Sequence, residues 1–162
     1  MKILVLGSGL MGPAAAFNAM SDPAVTQVTI CDINQQQLDA ARAKLASMEG
    51  SEKLSTVALD LNDQAATGQL MAGFDAIVAA LSKNVISLGM RAALAAGTPL
   101  VDLSWPPEAM VADIKQQAKA SGTLIVRPSI KSTIKLSSLK CTSLTRSPGL
   151  ISEMLMPNLS TL

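Results

Sequence analysis

The chain has 162 residues and a formal net charge of +1, a length that holds one sizeable hydrophobic core but not two. Hydrophobic residues make up 49% and charged residues 15%, a globular composition whose balance gives no electrostatic reason to bind nucleic acid or a membrane surface. Without a single histidine there is no Ser-His-Asp triad, no His-ligated zinc and no imidazole base, and the two cysteines, Cys31 and Cys141, cannot build a disulfide framework or a four-thiolate metal site. No metal, nucleic-acid partner or membrane contact is expected, and a cytoplasmic location fits best.

The first predicted element is a strand, Lys2–Leu6. Lys2, the apolar run behind it and Ala14–Ala16 loosely imitate a secretory signal, but three glycines interrupt the run and a regular strand-helix pattern continues past it. Nowhere does an apolar run approach the roughly 18 residues that a spanning helix needs. Directly after the strand, Gly7-Ser8-Gly9-Leu10-Met11-Gly12 fits G-x-G-x-x-G and opens a helix. Gly7 permits the tight turn, Gly9 lets a pyrophosphate approach the backbone, and Gly12 lets helix and strand pack closely. Pro13 falls in the first helical turn, where its missing N–H costs nothing.

The second strand, Gln27–Cys31, runs into Asp32, 20 residues after Gly12. A carboxylate there can accept both hydroxyl hydrogens of an adenosine ribose and repel a 2′-phosphate, which favours NAD over NADP. The first downstream arginine, Arg42, lies about two turns into the next helix by the helical repeat. Asn34 is the expected N-cap of that helix, whose Leu38, Ala41, Leu45 and Met48 make one apolar face. Cys31 reads as a small core residue.

Four further strands follow, at Leu54–Leu59, Ala76–Leu81, Pro99–Leu103 and Thr123–Val126, in near-continuous Val, Ile and Leu runs typical of a parallel sheet buried on both faces. Helices are expected from Asn84 to Gly97 and from about Pro107 to Ser121, the glycines Gly97 and Gly122 ending them in the left-handed conformation. Strand-helix alternation with short links gives a doubly wound α/β domain of about six strands, a Rossmann fold. Ligands of such sheets lie beyond the carboxyl ends of the strands. Those ends carry Asp60 and Leu61 near the adenine, Leu81, Ser82 and Lys83 along the ribose and nicotinamide, and Ser104 beyond the fifth strand. Asp60 is equally suited to capping the next helix, Lys83 to being a solvated loop charge, Asp102 to ordering a loop and Trp105 to covering the sheet edge. Catalytic residues are not identifiable; Lys83, Asp102 and Ser104 are candidates by position only.

The composition breaks after Val126. Residues 127–162 contain no Ala, Val or Asp, against 24 Ala in the first 126, and Ser and Thr fill 12 of the 36 positions. A switch this abrupt at a strand end favours a shifted reading frame over a natural flexible tail or a divergent connection.

The opening KILVLGSGLMGPAAA, with VTICDIN, VALDLND, FDAIVAALS and AALAAGTPLVDLSW, resembles the N-terminal NAD(P)-binding domain of the saccharopine dehydrogenase (saccharopine reductase-like) family over residues 1–126. The resemblance implies hydride transfer at a carbon–nitrogen centre of a small amino-acid-like substrate, and a second, C-terminal substrate domain. By position it assigns Gly7, Ser8, Gly9, Leu10 and Met11 to the pyrophosphate, Asp32 to the ribose and Asp60 and Leu61 to the adenine. It assigns Leu81 and Ser82 to the nicotinamide side and Ser104 to the substrate mouth. Where the family has a glycine-rich turn with Pro-Gly, this chain has Arg127-Pro128-Ser129-Ile130-Lys131, and no recognisable substrate domain is expected in its last 36 residues. A non-catalytic nucleotide-sensing module acting on a partner protein is therefore the alternative. The edge at Thr123–Val126, left without its usual neighbour, leaves a homo-oligomer open.

Overall fold

A computed structural model describes residues 1–127. Its strands are β1 (Lys2–Leu6), β2 (Gln27–Asp32), β3 (Leu54–Ala58), β4 (Ala76–Ala79), β5 (Leu100–Asp102) and β6 (Ile125–Val126). Between them lie helices α1 (Met11–Met20), α2 (Gln35–Leu45), α3 (Gln64–Met71), α4 (Ile86–Ala96) and α5 (Glu108–Ser121). The strands form one sheet in the order β3-β2-β1-β4-β5-β6, and every neighbouring pair is parallel. This is the doubly wound α/β architecture that the sequence pattern predicts.

Side-chain alternation divides the core. Leu4 and Leu6 of β1, Ile77 and Ala79 of β4 and Leu100 of β5 cluster with Met71, Ile86, Met90, Val111 and Ile114 from α3, α4 and α5. The intervening Ile3 and Val5, with Val28 and Ile30 of β2, are equally buried but belong to the side taken by α1 and α2, where Ala16, Ala19, Leu38 and Leu45 are buried. Burying one such Leu or Ile side chain contributes about 1.5–3 kcal/mol, so both layers are needed to hold a strand as apolar as β1. The strand β3 is only half-buried, having among the described residues a neighbour on one side alone.

Helix ends follow side-chain chemistry where it is present. The Asn34 side chain accepts the Gln37 N–H at 3.2 Å and caps α2, and Gly97 and Gly122 end α4 and α5 with φ of 67° and 70°. Two expectations are corrected, and one open alternative is decided. Met48 lies beyond α2 and is 40% exposed, because the helix stops at Leu45. Asn84 does not cap α4; the Ser82 carbonyl instead accepts the Val85 and Ile86 amides, closing the turn through backbone alone. The helix after Asp60 is capped by Asp63, which accepts the Ala66 N–H at 3.0 Å. The stretch with the altered composition lies, Arg127 apart, outside the described residues.

Candidate functional site

The parallel register brings the strand ends together. Leu6 lies opposite Cys31 on one side and Ala79 on the other, and Ala79 lies opposite Asp102. The links just beyond continue the ladder: Gly7 N–H donates to the Cys31 carbonyl at 2.7 Å, Ala80 N–H to Leu6 at 2.8 Å and Leu103 N–H to Ala79 at 2.9 Å. One edge of the sheet therefore carries the glycine loop, Asp32, Leu81–Ser82 and Ser104.

Within the loop the three glycines differ. Gly7 has φ +93°, and a Cβ on it would lie 2.6 Å from the Ala80 carbonyl oxygen. A Cβ on Gly12 would fall on the Gly7 carbonyl, so α1 sits on the loop at a separation only glycine allows. A Cβ on Gly9 would meet nothing within 4 Å. The space above Gly9 is open backbone surface, the shape that a pyrophosphate cradle requires. Behind it α1 begins with no acidic residue in its first turn and no side-chain cap, leaving its first amides and partial positive charge unopposed. Leu10 and Met11, on the loop crest, are 88% and 54% exposed. A groove of about 300 Å³ runs from Ser8, Gly9, Leu10 and Pro13 to Gln37 and Lys44 of α2.

Asp32 stands beside the loop, half-buried. Its Oδ2 accepts both the Ser8 N–H at 2.7 Å and the Ser8 hydroxyl at 2.8 Å, and its Oδ1 accepts the Asn34 N–H at 2.9 Å. Burial alone would push the carboxyl up, but the Asn34 and Ser8 hydrogen bonds, with the Ile33 amide, outweigh it and hold Asp32 below the ordinary carboxylate value. The group is an anion at any physiological pH. Burial, followed by the Asp32 charge, drives the adjacent Cys31 thiol up to about 11, which makes it an inert core residue.

The remaining positions spread along the same edge. Asp60 is exposed and folds back on its own turn, accepting the Asn62 backbone and side-chain N–H groups at 2.9 and 2.8 Å, with Leu61 half-buried beside it. Leu81 is half-buried against the core cluster, while Ser82 and Lys83 are exposed. Asp102 is fully buried; its Oδ1 accepts the Ser104 N–H at 2.7 Å, which does order the turn after β5. Among the described residues its Oδ2 and the Ser104 hydroxyl have no hydrogen-bond partner, and burial pushes the Asp102 carboxyl up against the opposing pull of Ser104 and Arg127. Trp105 is 54% exposed. Sequence reasoning missed the Ser8 side chain as an Asp32 partner; a hydroxyl at the second loop position facing a strand-end carboxylate was the available signal. Among the described residues no helix is long and apolar enough to cross a membrane, and no group of three His, Cys, Asp or Glu is placed to hold a metal.

Several solved structures share this fold. Apo saccharopine dehydrogenase (L-Glu forming) from Saccharomyces cerevisiae matches with a TM-score of 0.65 and 17% identity, over 78% of this chain and 26% of that one. Biliverdin reductase from Synechocystis sp. PCC 6803, in complex with biliverdin and NADP+, matches at 0.61 and 17%, over 78% and 37%. An oxidoreductase from Agrobacterium radiobacter, in complex with NAD+, L-tartaric acid and magnesium, matches at 0.61 and 14%, over 78% and 34%. Such identities speak for the fold, and the chain spans only about a quarter to two-fifths of the length of these proteins. The family model described as the saccharopine dehydrogenase NADP binding domain matches residues 3–126, nearly all of the described sheet and its helices, and the chain belongs to that family.

Proposed function

We propose that residues 1–126 are the cofactor-binding domain of an NAD(P)-dependent oxidoreductase of saccharopine dehydrogenase type, and that they take NADH in preference to NADPH. Family membership supports a nicotinamide dinucleotide as ligand. The preference rests on one observation: an ionised, half-buried Asp32 hydrogen-bonded to the loop at Ser8, beside open space at Gly9. The pyrophosphate fits over Gly7–Met11, where backbone amides and the α1 N-terminus offer donors and positive potential. Asp32 accepts the adenosine ribose hydroxyls and repels a 2′-phosphate. Asp60 and Leu61 flank the adenine, Leu81 and Ser82 the nicotinamide, and the turn at Ser104 lies on the side of the substrate mouth. When bound, the nicotinamide supplies the hydride chemistry; this chain's part is to bind and orient.

The substrate is an amino-acid-derived compound reacting at a carbon–nitrogen centre, and it requires a substrate domain. Residues 127–162 stand outside the dinucleotide-binding domain. The test is a fluorescence titration of the purified chain with NADH and NADPH, followed by a turnover assay with lysine and 2-oxoglutarate. Binding of NADH without oxidation supports the reading. Binding of neither nucleotide overturns it, and a tenfold preference for NADPH overturns the cofactor assignment.

A further inference from the structure

We infer that the Ser8 hydroxyl is a placeholder for a ribose hydroxyl: it occupies the Asp32 acceptor in the free protein and must be released when a nucleotide binds. This rests on the dinucleotide reading above and deepens it by naming a second residue that sets affinity. An ionised carboxylate has about four acceptor positions. At least three are filled here, by Asn34 N–H on Oδ1 and by Ser8 N–H and Ser8 Oγ–H on Oδ2, and the Ile33 amide also acts on the carboxylate. A ribose presents two adjacent hydroxyls, so recognition through Asp32 needs at least one more position than remains.

The two backbone donors cannot leave. Ser8 N–H is fixed by the Gly7 turn, which is itself bonded to the Cys31 carbonyl, and Asn34 N–H leads into the capped start of α2. The Ser8 hydroxyl moves by rotation about a single bond. It is also a hydroxyl in the place where a hydroxyl is wanted, 2.8 Å from Oδ2. Ser8 is only 6% exposed, so solvent gives the released group little compensation. The free site thus keeps Asp32 bonded and oriented, and nucleotide binding exchanges one hydroxyl for another at Oδ2. Ser8 acts through Asp32 and is a positioning residue.

Removing the hydroxyl leaves a vacant acceptor already aimed at the ligand. Since a hydrogen bond to a charged group is worth about a factor of ten, Ser8→Ala is expected to tighten binding of NADH and of ADP-ribose by about three- to tenfold. Nicotinamide mononucleotide, which carries no adenosine ribose, should not share this gain. A purely structural role would weaken all three ligands together. Carbon-13 NMR gives an independent readout: the Asp32 carboxyl resonances of wild type and variant should differ in the free chain and coincide at saturating ADP-ribose. Should the variant not fold, the wild-type chain decides, because its Ser8 Cβ resonance must shift as the hydroxyl changes partner. A Ser8→Ala chain that binds NADH no better than wild type, or a Ser8 signal unmoved at saturation, overturns the placeholder while leaving the dinucleotide reading intact. A wild-type chain that binds neither NADH nor ADP-ribose overturns both.

Discussion

Gly9 and Gly12 stand three residues apart, one in the loop and one in the first turn of α1, and alanine at each should fail in opposite ways. At Gly12 the new Cβ would land on the Gly7 carbonyl oxygen, with the Gly7 carbonyl carbon 2.9 Å away and Val5 Cγ1 at 3.9 Å. Those first two obstacles are backbone atoms of a strained turn, so relief requires moving α1 off β1. Overpacking of this kind costs about 1–3 kcal/mol or more, and the helix-propensity gain of alanine, about 1 kcal/mol, returns only part of it. A net loss of about 2 kcal/mol should lower Tm by roughly 8 °C, at about 4 °C per kcal/mol for a domain of this size. At Gly9 the Cβ has open space and φ is not positive, so Gly9→Ala should keep or slightly raise stability, by about 0.4–1 kcal/mol through the unfolded chain. The same methyl stands where the pyrophosphate would lie. Losing two charge-assisted amide bonds, each about 1.5–3 kcal/mol, should weaken NADH binding at least about a hundredfold. Thermal melts followed by circular dichroism and NADH fluorescence titrations separate the two effects. If Gly9→Ala binds NADH like wild type, or melts as early as Gly12→Ala, the division of labour among these glycines is wrong.

Three further outcomes are expected. Asp32→Ser should raise affinity for NADPH relative to NADH by about tenfold or more, about 1.4 kcal/mol of lost repulsion and lost ribose bonds, read from paired titrations; an unchanged ratio would remove Asp32 from cofactor choice. Because the Asp32 carboxyl is held below its ordinary value, its contribution to stability is complete above that value and is lost only as pH falls through the lower folded one, so NADH affinity should be flat from about pH 5 to pH 8, and a midpoint near pH 6 would contradict this. Asp102 has the opposite sign: its folded value is raised, so its burial penalty is absent below the ordinary carboxylate value and grows as pH rises through the folded one. Asp102→Asn should therefore flatten that part of the stability–pH curve in urea titrations across pH 4–8, and an unaltered curve would show that Asp102 does not titrate there.

The fold was largely legible in the sequence because its local rules agree. Strands such as β1 and β2 are apolar throughout, Asn34, Gly97 and Gly122 end or begin helices by their own chemistry, and G-x-G-x-x-G between strand and helix admits few alternatives. What escaped was set by register. The meeting of Ser8 with Asp32 depends on Leu6 lying opposite Cys31, an alignment between strands that no local pattern in either segment encodes. Asp102 was placed near a strand end but not recognised as fully buried, since a three-residue strand is too short for alternation to reveal its faces. The Asp60 question was decided by a neighbour: Asp63, one turn on, had the better geometry for capping α3.

The position of β1 has a consequence for how the chain is made. It is made before both strands that flank it in the sheet, β2 along one edge and β4 along the other. Ile3 pairs with Val28 on one side but waits for Ala76 on the other. At the usual ribosomal pace of about 5–20 residues per second, that second edge stays open for roughly 4–15 seconds. During that time an almost wholly aliphatic strand offers unpaired backbone groups to any other nascent chain. Slow codons between β2 and β4 would lengthen that exposure, so this stretch of the message should govern the soluble yield more than any equally long stretch after Ala79.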